Sequence, residues 1–228
     1  MAMIRTGSAA GEAMPRSTTP DVFAPDEVRV LDGFSRPEHV QAFLDTLRYS
    51  EDPIYRSPRS VLRDGKAHCF DGALFAAAAL ERLGFPPRLV DLRAVRDDDH
   101  VLAVFQVDGH WGAVAKSNFV GLRWREPVHR TLRELAVSYL DAYFNLDYER
   151  SLREFSRPVD LHRFDALAWR TADDGLEAVA TALDAVRHTP VLTPAQIQRL
   201  ARVDERTYQA QLLGSNAAGL YRPGGHKG

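Results

Sequence analysis

Gly65-Lys66-Ala67-His68-Cys69-Phe70-Asp71-Gly72-Ala73-Leu74-Phe75 is the stretch on which the reading of this 228-residue chain turns. It places the single cysteine, Cys69, at the head of an Ala- and Leu-rich run that reaches Leu83 without a proline, a strong helix pattern. Asp64-Gly65 marks a turn before it, Gly84 suits the position just past its end, and Pro86-Pro87 bars continuation. A lone cysteine forms no internal disulfide, which leaves packing, metal binding or reactivity as its roles. A helix start favours the thiolate through its unpaired N–H groups and partial positive charge. The same N–H groups could donate to an oxyanion. A small buried hydrophobe is the common fate of such a cysteine, so its surroundings decide.

Working outward, Arg88 to Val95 alternates and reads as a strand, and Arg96-Asp97-Asp98-Asp99 as a solvated loop. His100–Val107 and His110–Ala115 are two β-rich runs around Asp108-Gly109, the strongest short hairpin signal. His100 therefore heads a strand beside loops, where catalytic groups collect. A thiol at a helix start and a histidine on a downstream strand are the layout of a nucleophile and its base. With Asp108-Gly109 as a two-residue loop, Val107 faces His110, and counting back brings His100 opposite Ser117. Ala115 and Ser117 then share the His100 face. Asn118 reaches it only if the strand bulges or ends there.

Before Cys69, residues 1–25 are rich in small residues, serine, threonine and proline and are expected to lack fixed structure. Val28–Leu31 reads as a short strand, and Ser35 to Glu38 as a capping box opening a helix over 36–49. Pro53 to Arg63 reads as loop. Thr131 to Glu134 is a second capping box, with a helix to about Asn145 that places Tyr139 and Tyr143, with neighbouring Phe144, in the core. The core domain is expected to span 26–150. Residues 151–221 read as a helical C-terminal appendage, with helices over 176–186 and from Thr193 toward Leu213, and 222–228 as a loose tail. A net charge of -2 and 45% apolar residues argue for a packed core and against nucleic-acid or anionic-membrane partners. No stretch has spanning length and Met1–Pro20 has no apolar h-region, so a reduced, cytoplasmic protein is expected.

Residues 66–118 resemble the transglutaminase-like superfamily of cysteine enzymes. The matching elements are Cys69 at a helix start, Ala73, Leu80, the run Leu83-Gly84-Phe85-Pro86-Pro87-Arg88-Leu89-Val90, His100, and Asp108-Gly109-His110-Trp111. The resemblance implies an α+β fold with a papain-like core and a Cys–His–Asp triad. It implies acyl transfer through a thioester on Cys69, with His100 moving the proton and a peptide or amide as substrate. Water as acceptor gives hydrolysis, the preferred expectation, and an amine gives transamidation. No metal or organic cofactor is required. The family's aspartate position is Ala115 here, so Asn118 or Ser117 is the candidate that orients the ring. The segment is also similar to arylamine N-acetyltransferases, whose Gly-Gly-x-Cys-Phe-Glu compares with Gly65 to Asp71, with a Leu-Phe pair following at Leu74-Phe75. A non-catalytic binding module on the same fold is the third reading.

Other residues carry plainer expectations. His68 could join His100 or His110 on a metal, but no two ligands share a metal-binding spacing. His110 and Trp111 are expected to pack or cap. Lys116, Arg123 and Arg125 read as surface charge. Specificity would come from loops 50–64 and 119–130 and the C-terminal part.

Overall fold

The computed structural model describes residues 22–221. The expected tail at 222–228, and the N-terminal one up to residue 21, lie outside them. The chain is α+β: helices cover both faces of a mostly antiparallel sheet. Its elements are α1 (Pro25–Asp32), α2 (Pro37–Thr46), β1 (Arg48–Tyr49), α3 (Pro58–Asp64), β2 (Lys66–Ala67), α4 (Cys69–Arg82), β3 (Arg88–Ala94), β4 (His100–Val107), β5 (His110–Val114), β6 (Arg125–His129), α5 (Leu132–Val137), β7 (Leu152–Ser156), β8 (Val159–Asp160), α6 (Leu176–Ala185), β9 (His188–Pro190), α7 (Pro194–Ile197) and α8 (Glu205–Gln211). The main sheet runs β6-β5-β4-β3-β7-β9, with β8 also on β3.

The hairpin forms as the Asp-Gly signal requires. Asp108 and Gly109 both take positive φ, 48° and 76°, as a two-residue turn that follows strand twist needs. Val107 faces His110, and the register holds to Ala103 opposite Val114. Along β4, Val101, Ala103 and Phe105 join the core under α4, whereas Leu102 and Val104 join the core on the other face. That strict alternation with burial on both sides puts β4 in the middle of the molecule.

Helix α4 lies on the first face. Every residue from Phe70 to Leu80 is buried, together with Leu31, Val40, Leu44 and Val61 of the preceding helices. The alanines let it sit close to the sheet. At Gly72 a Cβ would lie 2.2 Å from the Cβ of Lys116, so only glycine lets the helix approach the chain leaving β5.

Several local expectations change. Residues 28–31 belong to helix α1, because Pro25 presets the first turn and Glu27 accepts the Ala24 N–H at 2.7 Å. Ser35 does not cap α2; its hydroxyl meets His39 Nδ1 at 3.3 Å, Arg36 is the cap position, and the helix stops at Thr46 before strand β1. Residues 58–64 are helix: Pro58 is its first residue, and Ser57 accepts the Ser60 N–H. The Thr131 cap forms, but α5 ends at Val137, where bonding tightens to Tyr139 N–H on Ala136 O and Leu140 N–H on Val137 O. Tyr139, Tyr143 and Phe144 are buried as expected.

The segment after residue 150 carries helices α6, α7 and α8, but it also completes the sheet. Strand β7 pairs with β3, and β9 with β7. The cause is a bulge: the register shifts between Arg93 and Ala94, so Leu92 faces Phe155 while Ala94 faces Leu152. Leu152 and Phe155, three apart, then enter the same core, and the sequence shows no period-two alternation to reveal the strand. The helix expected from Thr193 toward Leu213 is broken in two. Thr193 and Gln196 form the capping box of α7, and Asp204 caps α8 by accepting the Thr207 N–H at 3.0 Å.

Candidate active site

Cys69 is the first residue of α4, and the turn before it is held from several sides. His68 is the cap residue: its Nδ1 faces the Asp71 N–H at 3.4 Å, and the Asp71 carboxylate accepts the His68 N–H at 3.3 Å. Asp71 also accepts the Arg56 N–H at 2.8 Å. The Arg56 side chain, 2% exposed, bonds Asp64 at 2.9 Å and Ser50 at 3.0 Å, contacts Asp52, and lies 3.7 Å from Asp71. Burial pushes His68 down to about 4, so it caps as a neutral ring. That is a helix cap rather than a metal ligand, and among the described residues no cluster of histidine, cysteine and carboxylate side chains could hold a metal ion.

His100 begins β4, facing Leu92 of β3, and is 4% exposed. Its ring sits edge-on to Tyr139 and Tyr143, with centroids 6.5 and 6.3 Å away. The ring's Nε2 lies 2.7 Å from the backbone carbonyl of Leu122. A carbonyl only accepts, so Nε2 carries the proton and Nδ1 is the basic nitrogen. Burial pushes the ring down to about 4; the bond to Leu122 opposes this and the Arg125 charge adds to it.

Cys69 and His100 line one small cavity of about 40 Å³, with Tyr49, Asp98, Leu122 and Tyr143 among its walls. The thiol keeps part of its surface open to that cavity and points to the Asp99 carbonyl at 3.8 Å. Burial foremost, then the charge of Asp98, push the thiol up to about 12, against backbone hydrogen bonds at Val101 and Phe70. At neutral pH the pair is a thiol and a neutral imidazole. Asp98→Asn removes one repulsive charge; at pH 9 iodoacetamide should label Cys69 about threefold faster, a modest gain because the carboxylate is exposed and screened. An unchanged rate would discard Asp98 as a cause.

The loop holding these residues is more than a solvated connection. Asp97 accepts the Ser151 hydroxyl at 2.6 Å and is pushed up to about 6 by burial, Asp99 accepts the Ala94 N–H at 2.9 Å, and the Tyr143 hydroxyl donates to the Asp98 carbonyl at 2.6 Å. Asp98 itself stays exposed.

The two candidate ring orienters both line the cavity but bond elsewhere. The Ser117 hydroxyl accepts the Phe119 N–H at 3.0 Å. Asn118 pairs by both ends of its amide with the backbone of Asn216. Paired strand ends at Val114, before either residue. Ala115 is buried where the family's aspartate would stand. The partner that His100 does have, the Leu122 carbonyl, belongs to a short turn at Val120–Leu122 and leaves no trace in residue type. Lys116 is likewise not surface charge: it is buried, and its Nζ donates to the Leu44 and Leu47 carbonyls at 2.8 and 2.6 Å, closing the end of α2. Arg125 lies over the Tyr139 ring at 3.8 Å, and Arg123 pairs with Asp45 at 3.0 Å. His110 bonds the Asp108 carbonyl through Nδ1 at 3.0 Å.

A cysteine in the first turn of a helix, packed on an antiparallel sheet whose strand begins with histidine, is the core arrangement that the transglutaminase-like resemblance implies. Several solved structures are similar to the chain, three of them from one protein. The three are LapG from Legionella pneumophila and its EGTA-treated and calcium-bound forms, with 19%, 19% and 20% identity and TM-scores of 0.33, 0.33 and 0.32. Each match covers 40% of this chain and 61%, 59% and 60% of the other, so the chain spans less than two thirds of their length. No protein-family model matches the chain, and no curated protein matches it. Among the described residues no helix is long and apolar enough to cross a membrane.

Proposed function

We propose that the protein is a cysteine-dependent acyl-transfer enzyme, a hydrolase of peptide or amide bonds. The observation that carries this is one cavity holding both Cys69, at a helix start, and His100, in the tautomer that leaves Nδ1 basic. In the reaction, the Cys69 sulfur attacks the acyl carbon while His100 takes the thiol proton. The proton then passes to the departing amine, leaving a thioester that water hydrolyses.

The levels of the two groups favour transfer in concert with attack over a standing thiolate–imidazolium pair. A thiol held near 12 beside a ring held near 4 keeps its proton until the sulfur–carbon bond forms. The N–H groups opening α4 supply donors for the oxyanion, each contributing about 3 kcal/mol in comparable sites. Leu122 takes the orienting role through its carbonyl, where the family's triad uses a carboxylate.

That same substitution of a carbonyl for a carboxylate favours a second reading, a non-catalytic module on the same fold. One experiment separates them. The protein is incubated with a p-nitrophenyl ester of an N-acetyl amino acid and read by intact mass. The enzyme reading expects an acyl adduct on Cys69 that decays in water and is absent from Cys69→Ala. A folded protein that never acquires the adduct, at any pH from 5 to 10, favours the module.

A further inference from the structure

Beside the thiol cavity lies a wider groove of about 420 Å³, and the two share Tyr49, Ser117 and Asn118. One segment of the chain passes from one to the other. Leu213 to Asn216 line the groove, and Gly219 and Tyr221 line the cavity that holds Cys69. At the junction, Asn118, 8% exposed, donates Nδ2–H to the Asn216 carbonyl at 2.8 Å and accepts the Asn216 N–H at 2.7 Å. A primary amide bonding the N–H and C=O of one residue recognises polypeptide backbone and ignores its side chain. The Asn216 side chain in turn donates to the Tyr49 carbonyl at 3.2 Å and to Glu51 at 2.9 Å. Three residues on, the segment lies so close to Tyr49 that a Cβ at Gly219 would meet its ring at 2.7 Å.

We propose that Asn118 is a clamp for the backbone of a peptide substrate, and that residues 215–221, which turn tightly at Ala217–Gly219, hold that substrate's place as a built-in competitor. The proposal rests on the peptide-hydrolase reading above. It gives Asn118 a positioning role on substrate, and it accounts for Gly219 and Tyr221 standing in the wall of the cavity that holds Cys69. Access to Cys69 then requires the segment to leave, and a peptide with a small residue against Tyr49 fits the vacated track. The segment is attached, so its effective concentration at the clamp is high and a free peptide competes against that advantage.

The test uses the full-length chain and reads access to the thiol. Gly219→Val drives a side chain into Tyr49. Asn216→Pro removes the N–H that Asn118 accepts. Each is checked for native circular dichroism, and Cys69 labelling by iodoacetamide is followed at pH 8 by mass. Both variants should label at least about tenfold faster than the parent, the size of shift expected when a dominant closed form is opened. A synthetic peptide of residues 214–221 should slow labelling of Gly219→Val toward the parent rate. It should fail to do so when Asn118→Ala is added. Unchanged labelling in the folded variants, or peptide protection that survives Asn118→Ala, overturns the proposal. Labelling reports access and not acyl chemistry. If the variants open as expected yet no ester acylates Cys69, the hydrolase reading falls while the clamp stands.

Discussion

His100→Ala should lower the rate at which p-nitrophenyl esters acylate Cys69 by about 10² to 10⁴, the range over which a positioned base contributes. The loss is large because the thiol keeps its proton at neutral pH and His100 is the base that shares its cavity. Burial and Asp98 hold it near 12, so water at neutral pH generates almost no thiolate. The pH profile carries a further signature. His100 is a base only while unprotonated, so the rate falls as pH drops through about 4. Cys69 stays protonated until about 12, so no alkaline limb intrudes below that. The profile of the parent should therefore be a broad plateau across neutral pH. A bell centred near pH 7 would instead mean a standing ion pair with its two groups near their ordinary values. An effect of His100→Ala smaller than about threefold would remove it from the mechanism.

Arg56→Ala should be the most destabilising single change near the site, costing about 3–5 kcal/mol by chemical denaturation, as expected when one partner of a buried charge cluster is removed. Arg56 is 2% exposed and its guanidinium is shared among Asp52, Asp64 and Asp71. Without it, fully buried Asp71 faces backbone N–H groups and the neutral His68 ring and, among the described residues, no cation within ion-pair distance. The pH dependence follows from Asp71. Burial already pushes its carboxyl up to about 7, while hydrogen bonds from the Arg56 and His68 backbone, and then the Arg56 charge, pull it down. Losing that charge raises it further. The folded state then binds a proton that the unfolded chain, near the ordinary carboxylate value, has released. Stability falls with rising pH wherever the folded state holds more protons. The deficit relative to the parent should therefore be larger at pH 8 than at pH 5.5. A loss below about 1 kcal/mol, or a deficit that shrinks toward pH 8, contradicts this account. Asp71 caps the helix that presents Cys69, so the same variant should also acylate more slowly than its folded fraction explains.

What the sequence showed of this site was whatever local rules govern. The cysteine helix, its Gly84 terminator and the hairpin from His100 depend on neighbours within a few residues, and each formed close to where composition and turn chemistry place it. Pro58 illustrates the opposite: a breaker in one context is the first residue of a helix in another, and only the Ser57 cap distinguishes them. Strand β7 was hidden because a bulge on its partner erased its alternation. Lys116 looked like solvent-facing charge because nothing local announces that two helix-end carbonyls wait for it across 69 and 72 residues of chain. The acceptor that meets the His100 ring was hidden most completely, since a backbone carbonyl has no letter of its own.

That last feature shapes how the site can change. Side-chain orienters are single points of failure: one codon converts an aspartate to something inert. The acceptor at Leu122 is carried by every amino acid, so the bond to His100 constrains the path of the turn, and the leucine side chain is held separately by the core it packs in. Alanine scanning there would read the lost core side chain and leave the acceptor in place. Damage would come instead from whatever bends the Val120–Leu122 turn, including positions distant in sequence such as Gln211, whose side chain accepts the Gly121 N–H at 2.5 Å.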